Sequence, residues 1–192
     1  DGGFVVAWRD SSGTDGGSSW DVRAQRFDSS ATAIGDEFRV NTYTGNEQRE
    51  PSITSLDDGG FVVTWMDSAT HDGGNGWDVR MQRYDGNGDT VGEETLVNSY
   101  VASSQYEPHV TTLTGGDFVV TWQDSSGHDG GSGWDIRMQR YTSDVDENGD
   151  VTTVAVGDEM RVNTYTSSTQ NTPSIGSLAD GGFIVTWQDS SG

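Results

Sequence analysis

Residues 124–141 read DSSGHDGGSGWDIRMQRY, and this stretch occurs three times in the chain. The other copies are DSSGTDGGSSWDVRAQRF from Asp10 and DSATHDGGNGWDVRMQRY from Asp67, so each copy begins 57 residues after the one before it. A fourth copy opens as DSSG at Asp189. Internal similarity at a period of this size is typical of propellers and solenoids, in which one small unit is repeated. We therefore interpret the chain as an array of repeats.

The composition favours a layered sheet protein. Of 192 residues, only 31% are hydrophobic and 27 are glycine, so the core must be thin and distributed along the array. The net charge of -21 arises from 31 acidic and 10 basic residues. Such a surface repels nucleic acid and anionic membranes and attracts cations. No apolar run reaches transmembrane length, and the absence of cysteine excludes a disulfide framework. We therefore expect neither nucleic-acid binding nor membrane insertion.

Each repeat contains four candidate strands, named a to d after their order from the single proline of the repeat. One set of four reads PSITSL, FVVTW, WDVRMQRY and ETLVNSY, beginning at Pro51, Phe61, Trp77 and Glu94. β-Branched and aromatic runs between glycine-rich turns are typical of strands. The single array divides into repeats at residues 1–56, 57–113 and 114–178, with a partial fourth repeat at residues 179–192.

Four antiparallel strands joined by short hairpins describe a propeller blade. The sequence therefore predicts an all-β fold, a β-propeller built from four-stranded antiparallel blades of about 57 residues. The array supplies three blades and the start of a fourth, whereas propellers usually close with four to eight. We expect further repeats of a longer chain, or other copies of the chain in a homo-oligomer, to complete the ring and cover the strand edges.

The acidic residues of the repeated stretch keep the same spacing in every copy, and oxygen ligands of this kind suit Ca²⁺. An alternative is that Asp, Ser and Gly only form turns, with one aspartate pairing the arginine of strand c. Turn chemistry explains the composition of the loop but not its constant spacing, so calcium is the favoured interpretation. The predicted ligands are Asp10, Asp15, Asp21, Asp67, Asp72, Asp78, Asp124, Asp129 and Asp135.

The third repeat is eight residues longer than the others, and the extra residues fall between strands c and d. Its residues Asp144, Asp146, Asn148 and Asp150 match the first half of an EF-hand calcium loop. The twelfth position is Ala155 instead of glutamate, and no flanking helices are predicted. A second calcium site and a solvated hairpin tip both remain open here.

Tryptophan occupies two positions of the repeat. Strand b carries one set, which we interpret as core between blades: Trp8, Trp65, Trp122 and Trp187. The other set begins strand c beside the acidic loop, where an aromatic ring could stack on a sugar while aspartate accepts its hydroxyls. Packing within the core is the favoured alternative for this second set. Its members are Trp20, Trp77 and Trp134.

The strings FVVTWQDSSG, GWDIRMQRY, VNTYT and PSI together resemble the tandem repeats of very large secreted bacterial proteins. Those proteins often also carry hemolysin-type calcium-binding (RTX) repeats. The blade plan is similar, more loosely, to the calcium-binding FG-GAP propellers of integrin α chains, although the FG-GAP string itself is missing. The resemblance implies an extracellular, calcium-loaded, adhesive or structural segment, and it implies no catalytic residues.

Three functions are weighed from these observations. The leading one is a non-enzymatic, calcium-binding module of the cell surface or extracellular space, adhesive or structural within a larger secreted protein. The first alternative is a carbohydrate-binding lectin, with glycans as partners. A weaker alternative is a fragment of a glycan-active enzyme, because glycosidases use paired carboxylates and the chain has many. Since near-identical copies offer no single unlike pair, we expect no enzyme activity and name no catalytic residue.

Overall fold

The computed structural model describes residues 2–13, 19–68, 73–74, 76–131 and 133–190. Within these ranges the chain forms β-strands, turns and bends, and no helix is present, so none could span a membrane. The predicted all-β class is confirmed. The strands are β1 (Phe4–Asp10), β2 (Asp21–Phe27), β3 (Ala33–Arg39), β4 (Gln48–Ser55), β5 (Phe61–Asp67), β6 (Asp78–Tyr84), β7 (Thr90–Leu96), β8 (Gln105–Thr112), β9 (Phe118–Asp124), β10 (Asp135–Val145), β11 (Val151–Arg161), β12 (Gln170–Ser177) and β13 (Phe183–Asp189).

The strands form four antiparallel sheets that follow the repeat. The first sheet has the order β1-β2-β3, the second β4-β5-β6-β7, the third β8-β9-β10-β11, and the fourth β12-β13. Strand a of the repeat is thus β4, β8 or β12, and strand b is β1, β5, β9 or β13. Strand c is β2, β6 or β10, and strand d is β3, β7 or β11. The second and third sheets have four strands, as predicted for a blade, whereas the first has three and the fourth has two among the described residues.

Successive sheets pack face to face, with their a strands side by side. The Oγ1 atoms of Thr54 on β4 and Thr112 on β8 are 3.0 Å apart, and the backbone N–H of Val110 donates to Ser52 Oγ at 3.2 Å. Further along the array, β12 packs against β8. Within the described residues the sheets do not close into a ring, so the number of blades stays a prediction.

Two hydrophobic cores lie between the sheets, because successive side chains of a strand point to opposite faces. On β5, Phe61, Val63 and Trp65 belong to the core shared with the first sheet. The intervening residue Val62 belongs to the core shared with the third sheet. Every residue of β5 is buried, as the large groups on both faces of the central strands predict for sheets packed between two others.

The d strand predicted from Glu94 starts and ends four residues earlier in the structure. In the second repeat the prediction was residues 94–100, whereas β7 is Thr90–Leu96. The backbone N–H of Val97 makes the last ladder bond, to the carbonyl of Val79 at 2.8 Å. At the next position the side chain replaces the backbone, since Asn98 Oδ1 accepts from the N–H of Val79 at 2.7 Å. Asn41 and Asn163 end β3 and β11 in the same way.

Candidate functional site

The loops that join strands b and c, where the calcium ligands were predicted, lie at one end of the sheets. The first and last aspartates of each loop are direct cross-strand partners: Asp10 with Asp21, Asp67 with Asp78, and Asp124 with Asp135. The middle aspartate is described only in the third repeat, as Asp129, because Asp15 and Asp72 lie outside the described residues. The structure therefore brings two of the three predicted ligands of each loop together.

Arg137 of β10 is the cation of the third loop. Its Nε donates to Asp124 Oδ2 at 2.7 Å, its Nη1 donates to Glu159 Oε1 at 2.9 Å, and its Nη2 is paired with Asp129. Burial alone would lower the pKa of Arg137, but the carboxylates of Glu159, Asp124 and Asp129 outweigh it and hold the pKa above its ordinary value. Two of the three predicted calcium ligands of this loop are thus paired with one guanidinium.

The second repeat uses the equivalent arginine in the same way. Arg80 Nε lies 3.2 Å from Asp67 Oδ2, and Arg80 Nη1 lies 2.9 Å from Glu94 Oε1. These contacts match the alternative in which an aspartate pairs the arginine of strand c. Among the residues that the structure describes, no group of three or more His, Asp or Glu side chains is arranged to hold a metal ion. Calcium binding by these loops stays a prediction.

The last aspartate of each loop accepts from the asparagine that ends strand d. Asn98 Nδ2 donates to Asp78 Oδ1 at 2.8 Å, and Asn163 Nδ2 donates to Asp135 Oδ1 at 2.7 Å. Both carboxylates are buried. Because a buried carboxylate needs donors, the asparagine explains how an aspartate is accommodated at this position.

A glutamine at the start of each a strand links two sheets. The backbone N–H of Gln105 donates to the carbonyl of Trp77 in the preceding sheet at 2.6 Å. Within its own sheet, Gln105 Nε2 donates to Asp124 Oδ1 at 3.0 Å, and its Oε1 accepts from Trp122 Nε1 at 3.1 Å. Gln48 and Gln170 repeat the link to the preceding sheet and to the aspartate at the end of strand b. The sequence showed a glutamine here in every repeat, but its role was not predicted.

The extended hairpin of the third repeat is held by its own backbone. Asp146 Oδ1 accepts from the N–H groups of Asn148 at 2.8 Å and Asp150 at 2.9 Å. These bonds, foremost that from Asp150, lower the pKa of Asp146. The shorter hairpin at Asp85 has the same two bonds. The contacts therefore match the hairpin-tip alternative, while Asp144, on β10, is exposed and a calcium site here stays a prediction.

The two tryptophan positions have different environments. Trp65 and Trp122 of strand b are fully buried, as predicted for core between sheets, but the prediction does not hold for Trp8, which is half-buried, or for Trp187, which is 37% exposed. At the second position, Trp20 and Trp77 are half-buried, and Trp134 is 37% exposed. Their carbonyls accept from the glutamines of the next a strand, which holds each ring at the boundary between two sheets.

A side chain of the a strand in the same sheet covers part of two of these rings. Tyr106 stacks on Trp134 with 5.3 Å between ring centroids and an interplanar angle of 15°. At the equivalent position of the preceding repeat, the guanidinium of Arg49 lies 5.7 Å from the ring centroid of Trp77. We call Trp20, Trp77 and Trp134 the tryptophan row. It is a series of partly exposed aromatic rings at the same end of three successive sheets.

Carboxylates on strained backbone lie beside this row. Glu50 and Glu107 have φ angles of 49° and 51°, in the left-handed region that side chains other than glycine rarely adopt. Each precedes the proline of its repeat within a β-bulge, and Thr172 holds the same position with a φ of 49°. Strain of this kind is concentrated at functional sites. A following proline favours extended backbone at the residue before it, so the sequence contained no signal for these left-handed φ angles.

The two glutamates have different neighbours. Glu50 Oε1 lies 3.3 Å from Arg9 Nη1, and the guanidinium of Arg9 lies 4.9 Å from the ring centroid of Trp20. Glu107 follows Tyr106 directly, and its charge affects the pKa of His109. Burial lowers the pKa of His109, and the charge of Glu107 opposes that effect. The row thus combines aromatic faces with carboxylate acceptors in two non-identical settings.

No family model matches the sequence, and no curated protein matches it. Among the solved structures similar to it are two from Bacteroides thetaiotaomicron VPI-5482. One is an endo-arabinase, at 19% identity and a TM-score of 0.37, covering 56% of this chain and 42% of that one. The other is an endo-1,4-beta-xylanase, at 10% identity and a TM-score of 0.44, covering 83% of this chain and 57% of that one. This chain therefore spans about half the length of each.

Both names belong to enzymes that hydrolyse glycosidic bonds. This finding contradicts the prediction of a non-enzymatic adhesive or structural module, and with it the prediction that the chain is not an enzyme. The resemblance to secreted bacterial repeats and to FG-GAP propellers stays a prediction. Because both TM-scores lie below 0.5, the two structures assign no substrate and no active residue to this chain.

Proposed function

We propose that the chain binds neutral polysaccharides through the tryptophan row. The observation that carries the proposal is the partial exposure of tryptophan at one position in three successive sheets, while the tryptophans of β5 and β9 are fully buried. An exposed aromatic face beside polar groups is typical of ligand sites, whereas a core ring is covered by its neighbours. The carboxylates of Glu50 and Glu107 would accept hydrogen bonds from sugar hydroxyls.

The charge and the repetition narrow the ligand class. A net charge of -21 disfavours acidic polysaccharides, because like charges repel at the binding surface. Equivalent rings on successive sheets suit a polymer, since several weak contacts to one chain combine into stronger binding. We further propose that the sheets are blades of a β-propeller and that the protein meets its glycan outside the cell.

Binding to soluble neutral polysaccharides tests the proposal, with arabinan, xylan and mannan as probes. We expect Trp134→Ala to weaken binding more than tenfold, which corresponds to about 1.4 kcal/mol. Trp187→Ala is the matched control, because Trp187 is also 37% exposed but lies on β13. A glycan array on which the parent chain binds nothing would overturn the proposal. Equal losses for the two variants would also overturn it.

A second candidate function is hydrolysis of the bound glycan, and the specific observation is the pair of glutamates on strained backbone. Glycosidases use two carboxylates with different tasks, and Glu50 and Glu107 have different neighbours. We expect release of reducing ends from at least one probe, and Glu107→Gln should abolish that release while binding persists. Glu147→Gln, in the exposed tip of the extended hairpin, is the control. Binding without release of reducing ends would leave a lectin as the function.

A further inference from the structure

Two hairpin turns of the chain contain an asparagine followed by a glycine. They are residues 85–89, which join β6 and β7, and residues 146–150, which join β10 and β11. An Asn–Gly step is chemically labile, because glycine has no Cβ to hinder attack of its backbone nitrogen on the asparagine amide. A third such step, at residues 75–76, lies partly outside the described residues. The two described turns can be compared as sites of spontaneous deamidation.

The two turns have the same internal hydrogen bonds. Gly88 and Gly149 each donate their N–H to the carbonyl of the aspartate at the start of the turn, at 3.0 Å, and both have a φ of 87°. The carboxylates of Asp85 and Asp146 accept the same pair of backbone bonds. Because the attacking nitrogen is held in a hydrogen bond, each turn must open before its asparagine can react.

The turn at Asn87 is also bound to the preceding sheet. Arg26 of β2 donates from Nη2 to the carbonyl of Gly86 at 2.9 Å, and from Nη1 to the carbonyl of Asn87. A Cβ added to Gly88 would lie 2.9 Å from Arg26 Cδ, so the arginine packs directly on this glycine. Opening the turn breaks both bonds from Arg26. It therefore requires more free energy than the internal bonds alone demand.

The turn at Asn148 lies further from the sheets. The last pair of β6 and β7 is Tyr84 with Thr90. The equivalent pair of the third sheet is Tyr141 with Ala155, and four more pairs follow it. These pairs carry the turn about 13 Å beyond the end of the shorter hairpin, at about 3.3 Å for each residue.

No arginine of the preceding sheet supports this second turn within the described part of the chain. Arg83, which is the counterpart of Arg26 in the second sheet, donates to Asp58 Oδ2 at 2.6 Å instead. The hydrogen bonds of residues 146–150 among the described residues run within the hairpin, and a Cβ added to Gly149 would meet no described atom within 4 Å. A two-stranded ribbon without outside contacts is marginally stable, so this turn opens at a low free-energy cost.

We propose that Asn148 is a site of spontaneous deamidation and that Arg26 protects Asn87 from the same reaction. The nitrogen of Gly149 loses its proton and attacks Asn148 Cγ, the Cγ–Nδ2 bond breaks, and ammonia leaves with that proton. The product is a succinimide ring. Water then adds to either carbonyl of the ring and opens it, which gives aspartate or isoaspartate. The reaction needs no oxidant, reductant or cofactor.

Deamidation changes the tip of the extended hairpin. Each event adds a negative charge beside Asp146, Glu147 and Asp150, and isoaspartate also adds a methylene group to the backbone. The third repeat thus acquires a second chemical form, whereas the second repeat keeps its turn unchanged. This inference is independent of glycan binding.

Peptide mass spectrometry of the folded parent chain tests the proposal. Trypsin cuts this chain only after arginine, so Asn87 and Asn148 fall in separate peptides, residues 84–137 and 141–161. After incubation at mildly alkaline pH, we expect deamidation to be roughly ten times faster at Asn148 than at Asn87. In concentrated urea the two rates should be equal, because glycine follows both residues. Equal rates in the folded chain, or the same difference in urea, would overturn the proposal.

Arg26→Ala tests the protective contact. We expect the rate at Asn87 to rise to within about twofold of the rate at Asn148, which should not change. Asn148 also reports on folding in the same sample, since unfolding would raise both rates to their values in urea. The matched control is Arg140→Ala, because Arg140 holds the equivalent position on β10 and pairs with Asp117 of its own sheet. An unchanged rate at Asn87 in Arg26→Ala, or an equal rise in the control, would overturn the proposal.

Discussion

β9 and β13 have almost the same sequence and opposite environments. β9 reads FVVTWQD and β13 reads FIVTWQD, so the two strands differ only at Val119 and Ile184. Yet every residue of β9 is buried, and five of the seven residues of β13 are exposed. The burial of a strand in this array is therefore set by its neighbours and not by its own residues.

The neighbours explain the difference. β9 has a ladder partner on each side, β8 and β10, and β13 pairs with β12. β9 also carries part of the core between the second and third sheets, through Phe118, Val120 and Trp122. Apolar side chains stabilise the fold in proportion to the surface they bury. The same residue should thus contribute strongly in β9 and weakly in β13.

The largest contrast is expected at the tryptophans of these strands. Trp122→Ala removes a fully buried ring and should lower the free energy of unfolding by about 3 to 5 kcal/mol. Trp187→Ala removes a partly exposed ring and should cost about 1 kcal/mol or less. Urea unfolding followed by circular dichroism measures both. Equal costs would mean that β13 is covered in solution.

The second contrast compares the aspartates that end the two strands. Asp124→Asn replaces a buried carboxylate that accepts from Gln105 and pairs with Arg137. Because the charge of Arg137 is then less compensated, we expect the free energy of unfolding to fall by about 3 kcal/mol. Asp189→Asn changes an exposed group and should cost about 0.5 kcal/mol. The same unfolding curves give the answer. A small change in the free energy of unfolding for Asp124→Asn would show that Arg137 pairs with other carboxylates in the variant.

The third test moves to a hairpin turn, where only a local effect is expected. The pKa of Asp85 is lowered, mainly because its carboxylate accepts from the N–H of Asp89. Because the pKa of Asp85 is lower in the folded state, its ionised carboxylate stabilises the turn at pH values above its unfolded pKa of about 3.9. This stabilisation is lost as the pH falls through the lower folded-state pKa. Asp85→Ala should accelerate amide hydrogen exchange at Asn87 and Asp89, measured by NMR above pH 5. The control Asp89→Ala keeps those backbone groups and should leave the exchange at Asn87 unchanged.

The smallest effect is expected from metal removal. Because Arg137 already pairs with Asp124 and Asp129, we expect EDTA to leave the melting temperature unchanged. The calcium interpretation requires the opposite, since Ca²⁺ at 100 times its Kd would stabilise the folded chain by about 2.7 kcal/mol. Thermal melting in EDTA and in excess Ca²⁺ separates the two. A clear rise with Ca²⁺ would restore the calcium sites.

Much of the fold could be predicted because it repeats. Strands b and c were placed within a few residues, since β-branched and aromatic runs between glycine-rich turns are a local signal. Strand d was misplaced because the sequence does not show that the side chain of Asn98 replaces a backbone partner. The difference between β9 and β13 was not predictable from either strand, because it depends on which strands lie beside them.

The candidate site could also be predicted only in part. Composition and spacing pointed to the aspartates, but the choice between a metal ion and an arginine depends on contacts made across the sheet. The tryptophan row was identified as a candidate, although packing was favoured, since exposure is a property of the assembled sheets. The strained glutamates were missed, because a φ angle follows from the bulge and not from the residue type.

The buried glutamines at the start of the a strands also bear on how the array folds. The backbone N–H of Gln105 donates to Trp77 of the second sheet, and its side chain donates to Asp124 of the third sheet. Such a residue is satisfied only when both sheets are present, so neighbouring repeats are coupled at every junction. An array with this coupling behaves as a one-dimensional cooperative chain, in which order spreads from a nucleus to adjacent units. Each added repeat should then raise the stability by a similar increment and make the unfolding transition sharper.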